Sequence, residues 1–270
     1  MEIKYVSLEG VLAKTGFTKN EKNLLLKTLH LYDVLYEKRS EAMGVGGVAL
    51  RLYIEARYKA KIGNTAKITD VDLVFLEIPP WIKKYLQKDN FVPQERLFLN
   101  INGIVRKIVR TYEGLAPVWH LQPNLSEQIP IFDDVCFFEG KIGRIPVLAD
   151  DFAFSSVVTI HTNYENKEKQ TAIRIADKGL LLATFLNPDA ITDVRARRSA
   201  LLLASHPTEI ESIAKRYVEV IKRTDIDLNE LKKTLNILIS NAKNQLKKYA
   251  HEFVEVVWGV LSSGHQNIFK

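Results

Sequence analysis

Asp70 and Asp72, which are separated by a single residue, are the side chains of this sequence best suited to chemistry. The β-branched and aromatic residues of 70–78 predict a buried strand that ends where Pro79 follows. Residues two apart on a strand point to the same face, with Cα atoms about 6.6 Å apart. Two carboxylates so placed repel each other unless a cation lies between them, and magnesium prefers such oxygen ligands. The pair therefore predicts a divalent metal site, the alternative being a solvated strand end that caps a backbone N–H.

A second chemical feature is the pair Gly46 and Gly47, which precedes a predicted helix over residues 48–59. Glycine lets backbone N–H groups approach phosphate oxygens closely, and the first turn of a helix adds a partial positive charge. The pair is therefore predicted to bind phosphate. Gly44 to Ala49 also fits the loose pattern of dinucleotide-binding turns, but such a turn should follow an apolar strand, and the residues before Gly44 are charged.

A third carboxylate on an adjacent strand is the next candidate for this site. Asp133 and Asp134 lie on opposite faces of a predicted strand over residues 129–138. An acid in so apolar a strand costs free energy unless an ion or a hydrogen bond compensates it. We rank Asp134 first, then Asp133 and then Asp150, and the sequence does not separate the three.

Secondary-structure patterns define the elements that would position these residues. Helices are predicted over residues 18–38, 48–59, 81–87 and 104–112, the first with capping-box spacing between Thr18 and Glu21. Strands are predicted over residues 70–78, 118–121, 129–138, 144–149, 157–161 and 172–175. From Asp177 onward the pattern is helical, with capping boxes at Thr208 and Asp227, and the second opens one long helix whose apolar line runs to Val260.

These elements predict an α+β fold in which a mixed sheet flanked by helices is followed by a helical domain. The domain boundary is placed at residue 177, so that residues 1–176 form the α/β domain and residues 177–270 form the helical domain. No internal repeat and no linker rich in proline, glycine or serine separates the two parts.

The composition of the chain indicates the compartment and the kind of partner to expect. The 270 residues contain one cysteine, Cys136, which cannot form an internal disulfide, so a reducing cytoplasm is expected. No apolar run approaches the ~20 residues that span a bilayer, and the first residues do not resemble a secretory signal. The formal net charge of +6 suits a polyanionic partner, but the lysines are spread along the chain, which favours a solvated basic surface over a nucleic-acid groove.

Taken in order, these motifs resemble a known family. A leading helix with residues 21–26, the stretch 46–52 that begins Gly-Gly-Val-Ala-Leu, and the Asp-Val-Asp-Leu of 70–73 resemble the core of the DNA polymerase β-like nucleotidyltransferases. They are more closely similar to the AbiEii/MenT-type toxin nucleotidyltransferases, in which a leading helix precedes Gly-Gly-Thr-Ala-Leu and then an Asp-x-Asp strand. The resemblance covers residues 20–78, and Val48 stands where the family has threonine.

The resemblance implies a nucleotidyltransferase-like mixed sheet and a magnesium-dependent reaction. A nucleotidyl group would pass from a nucleoside triphosphate to a hydroxyl on RNA, with tRNA favoured, or on a protein. Asp70, Asp72 and Asp134 would hold magnesium and carry catalysis, and Gly46 and Gly47 would bind the nucleotide phosphates.

The resemblance also suggests a phosphate-binding cation and a biological setting. Apolar residues of 183–185 occupy the position of the family's later lysine, and Arg195, Arg197 or Arg198 would supply the positive charge, with Arg195 ranked first. Asp193 would match the family's later aspartate. The setting would be a toxin–antitoxin pair or phage defence, with a separate antitoxin protein as partner. The alternative is a non-catalytic protein of this fold that binds a nucleotide, a nucleic acid or another protein.

Overall fold

A mixed β-sheet forms the centre of the fold. The computed structural model describes residues 2–5, 19–54, 71–81, 96–101, 104–113, 116–122, 135–164 and 167–265. The strands in these residues are β1 (Glu2–Tyr5), β2 (Met43–Val45), β3 (Val71–Phe75), β4 (Arg96–Ile101), β5 (Ile104–Glu113), β6 (Ala116–Gln122), β7 (Val135–Glu139), β8 (Lys141–Ile142), β9 (Ile145–Pro146), β10 (Ser156–Tyr164) and β11 (Lys167–Ile175). Nine of them form one sheet in the order β1-β10-β11-β2-β3-β7-β6-β5-β4, and β8 pairs with β9.

Helices flank this sheet and make up the described part of the chain after β11. They are α1 (Lys19–Glu37), α2 (Gly46–Tyr53), α3 (Ala149–Phe154), α4 (Lys178–Phe185), α5 (Asp193–Ser205), α6 (Ile210–Ile221), α7 (Leu228–Asn241) and α8 (Lys247–His265). The combination of a mixed sheet and helices confirms the α+β class. None of the described helices combines the length and the apolar composition needed to cross a bilayer.

The middle of the sheet has the connectivity that the candidate site needs. β2 pairs in parallel with β11 and antiparallel with β3, with Val45 opposite Asp72. β3 pairs in parallel with β7, with Val71 opposite Val135 and Asp72 opposite Cys136. The chain leaves β2 directly into α2, so the first turn of this helix lies beside β3.

In the first half of the chain, one helix prediction is wrong and another differs from the structure in its bounds. The helix predicted over residues 104–112 is strand β5, which pairs antiparallel with β4 and β6. Its apolar residues recur at helical spacing, but many are β-branched, and two neighbouring strands supply its hydrogen bonds. The helix predicted over 48–59 begins two residues earlier and ends at Tyr53, because Ile54 has an extended backbone with φ −75° and ψ 127°.

The described chain from Asp177 onward is helical as predicted, but two of its details differ. The expected single long helix is two helices, α7 and α8, separated by a turn at residues 242–246. The turn was hidden because Ala242 and Leu246 are buried in line with the apolar residues of both helices. Asp227 forms the predicted capping box with Glu230, whereas Thr208 lies inside the short 3-10 helix Pro207–Glu209 and caps nothing.

Buried side chains from both parts of the chain belong to one hydrophobic cluster. It includes Leu25 of α1, Leu73 of β3, Leu201 of α5 and Phe253 of α8. α4 lies in the middle of this cluster, and every one of its residues is buried. The position of the domain boundary at residue 177 stays a prediction.

The buried carboxylate of Asp151 forms ion pairs between the α/β part, before residue 177, and the helical part that follows it. Asp151 of α3 is 0% exposed and accepts hydrogen bonds from Arg216 and from Arg223, the latter at 2.8 and 3.0 Å. Its second oxygen also accepts the backbone N–H of Leu148 at 2.7 Å. Two guanidinium groups therefore compensate one carboxylate that has no contact with water.

Replacing Asp151 by asparagine should lower the free energy of unfolding by about 3 kcal/mol, because Arg223 loses its buried carboxylate partner and Arg216 keeps only Asp177 and Glu219. Urea denaturation measures this loss. The matched control is Glu211→Gln, because Glu211 forms an ion pair with Lys215 that is exposed to solvent, and its loss should leave the free energy of unfolding nearly unchanged. Equal stability of the Asp151→Asn variant and the parent protein would contradict the structural role of the network.

Candidate functional site

The turn from β2 into α2 depends on glycine. Gly46 is the first residue of α2 and has a φ of +62°, in the left-handed region that costs side-chain-bearing residues about 1–2 kcal/mol. Val45 before it is extended and buried, and Gly47 after it is also buried. The backbone therefore turns from the strand into the helix at Gly46, between two buried neighbours.

The carboxylate of Asp72 lies against this turn. A Cβ atom added to Gly46 would overlap Oδ2 of Asp72 and would lie 2.7 Å from its Cγ. The register explains the contact, because Asp72 is directly opposite Val45 in the antiparallel β2–β3 pair. Gly46 is thus required twice, once for its backbone angle and once because the Asp72 side chain occupies the space of a Cβ.

The first turn of α2 has no cap from the side chain of its N-cap residue. Val45 holds the N-cap position and has no polar group, whereas α4, α5 and α7 are capped by the side-chain oxygens of Asp177, Thr192 and Asp227. The N-terminal end of a helix carries a partial positive charge and N–H groups that favour anions. Asp72 is partly exposed at this end, so one helix terminus combines a carboxylate with an anion-binding backbone.

Val48, which stands at the family's threonine position, points into the core. Its side chain is 4% exposed and belongs to the main hydrophobic cluster. The residue therefore stabilises α2 by packing and adds no polar group to the Gly46–Asp72 contact.

Three of the predicted acids, Asp70, Asp133 and Asp134, lie outside the described residues. Their described neighbours Val71 and Val135 face each other in the parallel β3–β7 pair. Within the described ranges, no three or more histidine, cysteine, aspartate or glutamate side chains are grouped so that they could hold a metal ion. Of the first-ranked metal ligands Asp70, Asp72 and Asp134, only Asp72 lies within the described residues.

The lower-ranked candidates lie in other elements. Asp150 is exposed in the first turn of α3, next to the buried Asp151. Arg195 lies in the first turn of α5 and lines a narrow recess with Gly143, Asn187 and Asp189. Neither Gly46 nor Asp72 lines that recess. Asp193 is exposed at the beginning of the same helix.

A polar cluster that the sequence did not suggest lies at the other end of α2. Lys178 is 8% exposed, binds Glu209 at 2.8 Å and lies 5.1 Å from the ring centroid of Tyr53. His206 donates through Nε2 to the backbone carbonyl of Tyr53 at 2.9 Å, and its Nδ1 lies 3.2 Å from Glu209. The available signal was Lys178 itself, a charged residue in the first turn of a helix that is otherwise apolar.

Burial and charge shift the ionisation of this cluster. Burial lowers the pKa of His206, and the positive charge of Lys178 lowers it further. Burial alone would raise the pKa of Glu209, but the hydrogen bond and the charge of Lys178 outweigh it and lower that pKa below its usual value. Tyr53, Lys178 and Glu209 of this cluster also line an open cleft of about 190 Å³, together with Asp177 and Arg216.

Comparisons of the chain with protein-family models, with curated proteins and with solved structures found no match. Two residues of the candidate site, Gly46 and Asp72, are brought into contact by the fold.

Replacing Gly46 by alanine should lower the free energy of unfolding by about 2 kcal/mol or more, because the positive φ and the overlap with Asp72 both oppose a Cβ. Gly259→Ala is the matched control. Gly259 lies in the exposed middle of α8 with open space around it, so alanine there should stabilise the protein by about 0.5–1 kcal/mol. Opposite signs for the two substitutions in urea denaturation are expected, and a neutral Gly46→Ala would contradict the described turn.

Stability should fall as the pH drops below 6.5, because of His206. Its pKa is lower in the folded protein than the ordinary 6.5, so the unfolded chain binds a proton first. The stabilisation is therefore complete above pH 6.5 and is lost as the pH falls toward the lower pKa of the folded state. His206→Gln should show a weaker decline in unfolding free energy between pH 7.5 and 5.5, whereas the exposed-site variant His251→Gln should decline like the parent protein.

Proposed function

We propose that this protein catalyses metal-dependent nucleotidyl transfer from a nucleoside triphosphate to a hydroxyl group on an RNA, with tRNA the favoured acceptor, or on a protein. The observation that carries the proposal is the contact of the Asp72 carboxylate with Gly46 at the first residue of α2. This contact joins a metal-ligating oxygen to a helix end that favours phosphate. A metal-bound triphosphate requires both features at one point.

The electrostatics of this helix end favour a cation between the protein and its substrate. Asp72 contributes a carboxylate, and a triphosphate at the first turn of α2 would bring further negative charge. Two such anions repel each other unless a divalent cation lies between them. Magnesium takes one or two protein carboxylates and completes its shell with water and substrate phosphates, which fits this donor set.

Asp70 and Asp134 are proposed to complete the ligand set. In the sequence each of them directly precedes one residue of the Val71–Val135 pair, which joins two neighbouring parallel strands. The adjacency of β3 and β7 supports Asp134 over Asp150, because Asp150 belongs to α3 and is not on a strand beside β3.

The reaction that this set would support is an in-line displacement at the α-phosphorus of the triphosphate. The acceptor hydroxyl oxygen forms a bond to that phosphorus while the bond to the bridging oxygen of pyrophosphate breaks, and the hydroxyl proton passes to a carboxylate oxygen. Asp70, Asp72 and Asp134 would hold magnesium, which would supply charge stabilisation to the attacking and leaving oxygens. The backbone of Gly46 and Gly47 would orient the phosphates, and Arg195 stays the proposed phosphate-binding cation.

The second candidate is a non-catalytic protein of this fold that binds a nucleotide, a nucleic acid or a protein. The buried position of Val48 favours it, because the first turn of α2 lacks the hydroxyl that stands at this position in the family the sequence resembles. For the catalytic candidate, the resemblance suggests a cytoplasmic toxin or phage-defence protein with a separate antitoxin.

Incubation of the purified protein with magnesium, α-labelled nucleoside triphosphates and total tRNA or cell protein tests the proposal. Label transfer is expected, and Asp72→Asn should lower its rate on the order of 10²-fold or more, because several kcal/mol of transition-state stabilisation depend on the metal. The matched control is Asp150→Asn, an exposed acid of the same type, which should keep the parental rate. Magnesium-independent nucleotide binding without transfer would favour the non-catalytic candidate, and undiminished transfer by Asp72→Asn would overturn the assigned site.

A further inference from the structure

The helical part carries a strip of positive charge that the proposed chemistry does not use. Residues 231–251 contain five lysines and no acidic residue. They are Lys232 and Lys233 on α7, Lys243 in the turn that follows, and Lys247 and Lys248 in the first turn of α8. These five residues are called the lysine strip below.

The charges of the lysine strip face solvent. Lys247 is half-buried and the other four are exposed. Within the described residues none of the five forms an ion pair, whereas Lys178 and Lys215, in the same half of the chain, each bind a glutamate. The Nζ atom of Lys248 lies 4.6 Å from the ring centroid of its chain neighbour Tyr249. Lys233 interacts electrostatically with Glu230, which lies three residues before it in the chain. The described part of the protein therefore neutralises the positive charge of the strip only in part.

Uncharged hydrogen-bonding groups lie between the lysines. Asn236 and Ser240 are exposed on α7, and Asn244 and Gln245 are exposed in the turn before α8. Lysine together with asparagine, glutamine and serine is the set that contacts phosphate and sugar oxygens in nucleic acids. The composition of the surface thus suits a chain of regularly repeated phosphates better than a single small anion.

The same helices are poorly suited to a lipid surface. A helix that lies in a membrane interface inserts its apolar face between the lipids. The apolar faces of α7 and α8, with Leu235, Leu238, Phe253 and Val257, are already buried in the main hydrophobic cluster. Only the polar face is therefore available to a partner.

We propose that the lysine strip binds the phosphate backbone of an RNA. As the surface that holds an acceptor RNA, the strip rests on the proposed nucleotidyl transfer, although RNA binding itself requires no catalysis. The strip would hold the RNA by its backbone and would read its shape and charge, with little preference for sequence.

Fluorescence anisotropy with labelled tRNA, measured over a range of salt concentrations without nucleoside triphosphate, tests this proposal. The strip variant Lys243→Gln/Lys248→Gln should bind tRNA roughly tenfold more weakly near physiological salt, and its log–log salt slope should be smaller by between about one and two. The matched control Lys38→Gln/Lys141→Gln removes two exposed lysines elsewhere and should bind within about twofold of the parent protein. All four substitutions are at exposed sites, and urea denaturation checks that folding is unchanged.

The outcomes separate this proposal from the proposed catalysis. Asp72→Asn should bind tRNA like the parent protein while its transfer activity is lost, and selective weakening of the strip variant supports the strip even if no protein transfers label. If both double variants bound tRNA equally weakly, the net charge of the protein would explain the binding, and the assignment to the lysine strip would be overturned. Absence of tRNA binding, equally tight binding of duplex DNA, or binding to phosphatidylserine vesicles in place of tRNA would each overturn the assignment to RNA.

Discussion

The contact between Asp72 and the backbone of Gly46 is the constraint on which the candidate site depends. An antiparallel register places Asp72 opposite Val45, and the chain must then turn into α2 without a side chain at the next residue. The positive φ of Gly46 and the carboxylate above it exclude a Cβ for two independent reasons. Sterics thus fix a carboxylate at the positive end of a helix, an end that favours negatively charged groups.

Neighbouring strands and helices pack around this contact. β2 lies between β3 and β11 in the middle of the sheet, and α2 is buried along almost its whole length against α4 and α5. The helical part is fastened to the α/β part by apolar packing and by the buried pairs of Asp151 with Arg216 and Arg223. The lysines of the helical part lie in two different environments. Lys178 is buried and neutralised by Glu209, whereas the lysine strip faces solvent without an ion pair among the described residues.

Local sequence patterns predicted which helices and strands form better than they predicted where each one begins and ends. The apolar periodicity of α1 and of the chain after β11, the capping box at Asp227 and the strands β6, β10 and β11 follow from neighbouring residues alone. β5 was misread because apolar residues at helical spacing fit two kinds of element, and only pairing with β4 and β6 selects the strand. The turn between α7 and α8 was hidden because a continuous apolar line serves two packed helices as well as one.

The sequence by itself determined the α+β class, the glycine turn before a helix and the acids that open the next strands, because each depends on residues close together in the chain. The tertiary structure decided which of these meet. It set Asp72 against Gly46 through strand register, and it placed Arg195 beside Gly143 and Asn187, in a recess that neither Gly46 nor Asp72 lines. It also gathered Lys178 with residues from distant elements. Such contacts join positions far apart in the chain, and spacing along a sequence carries no measure of distance between them.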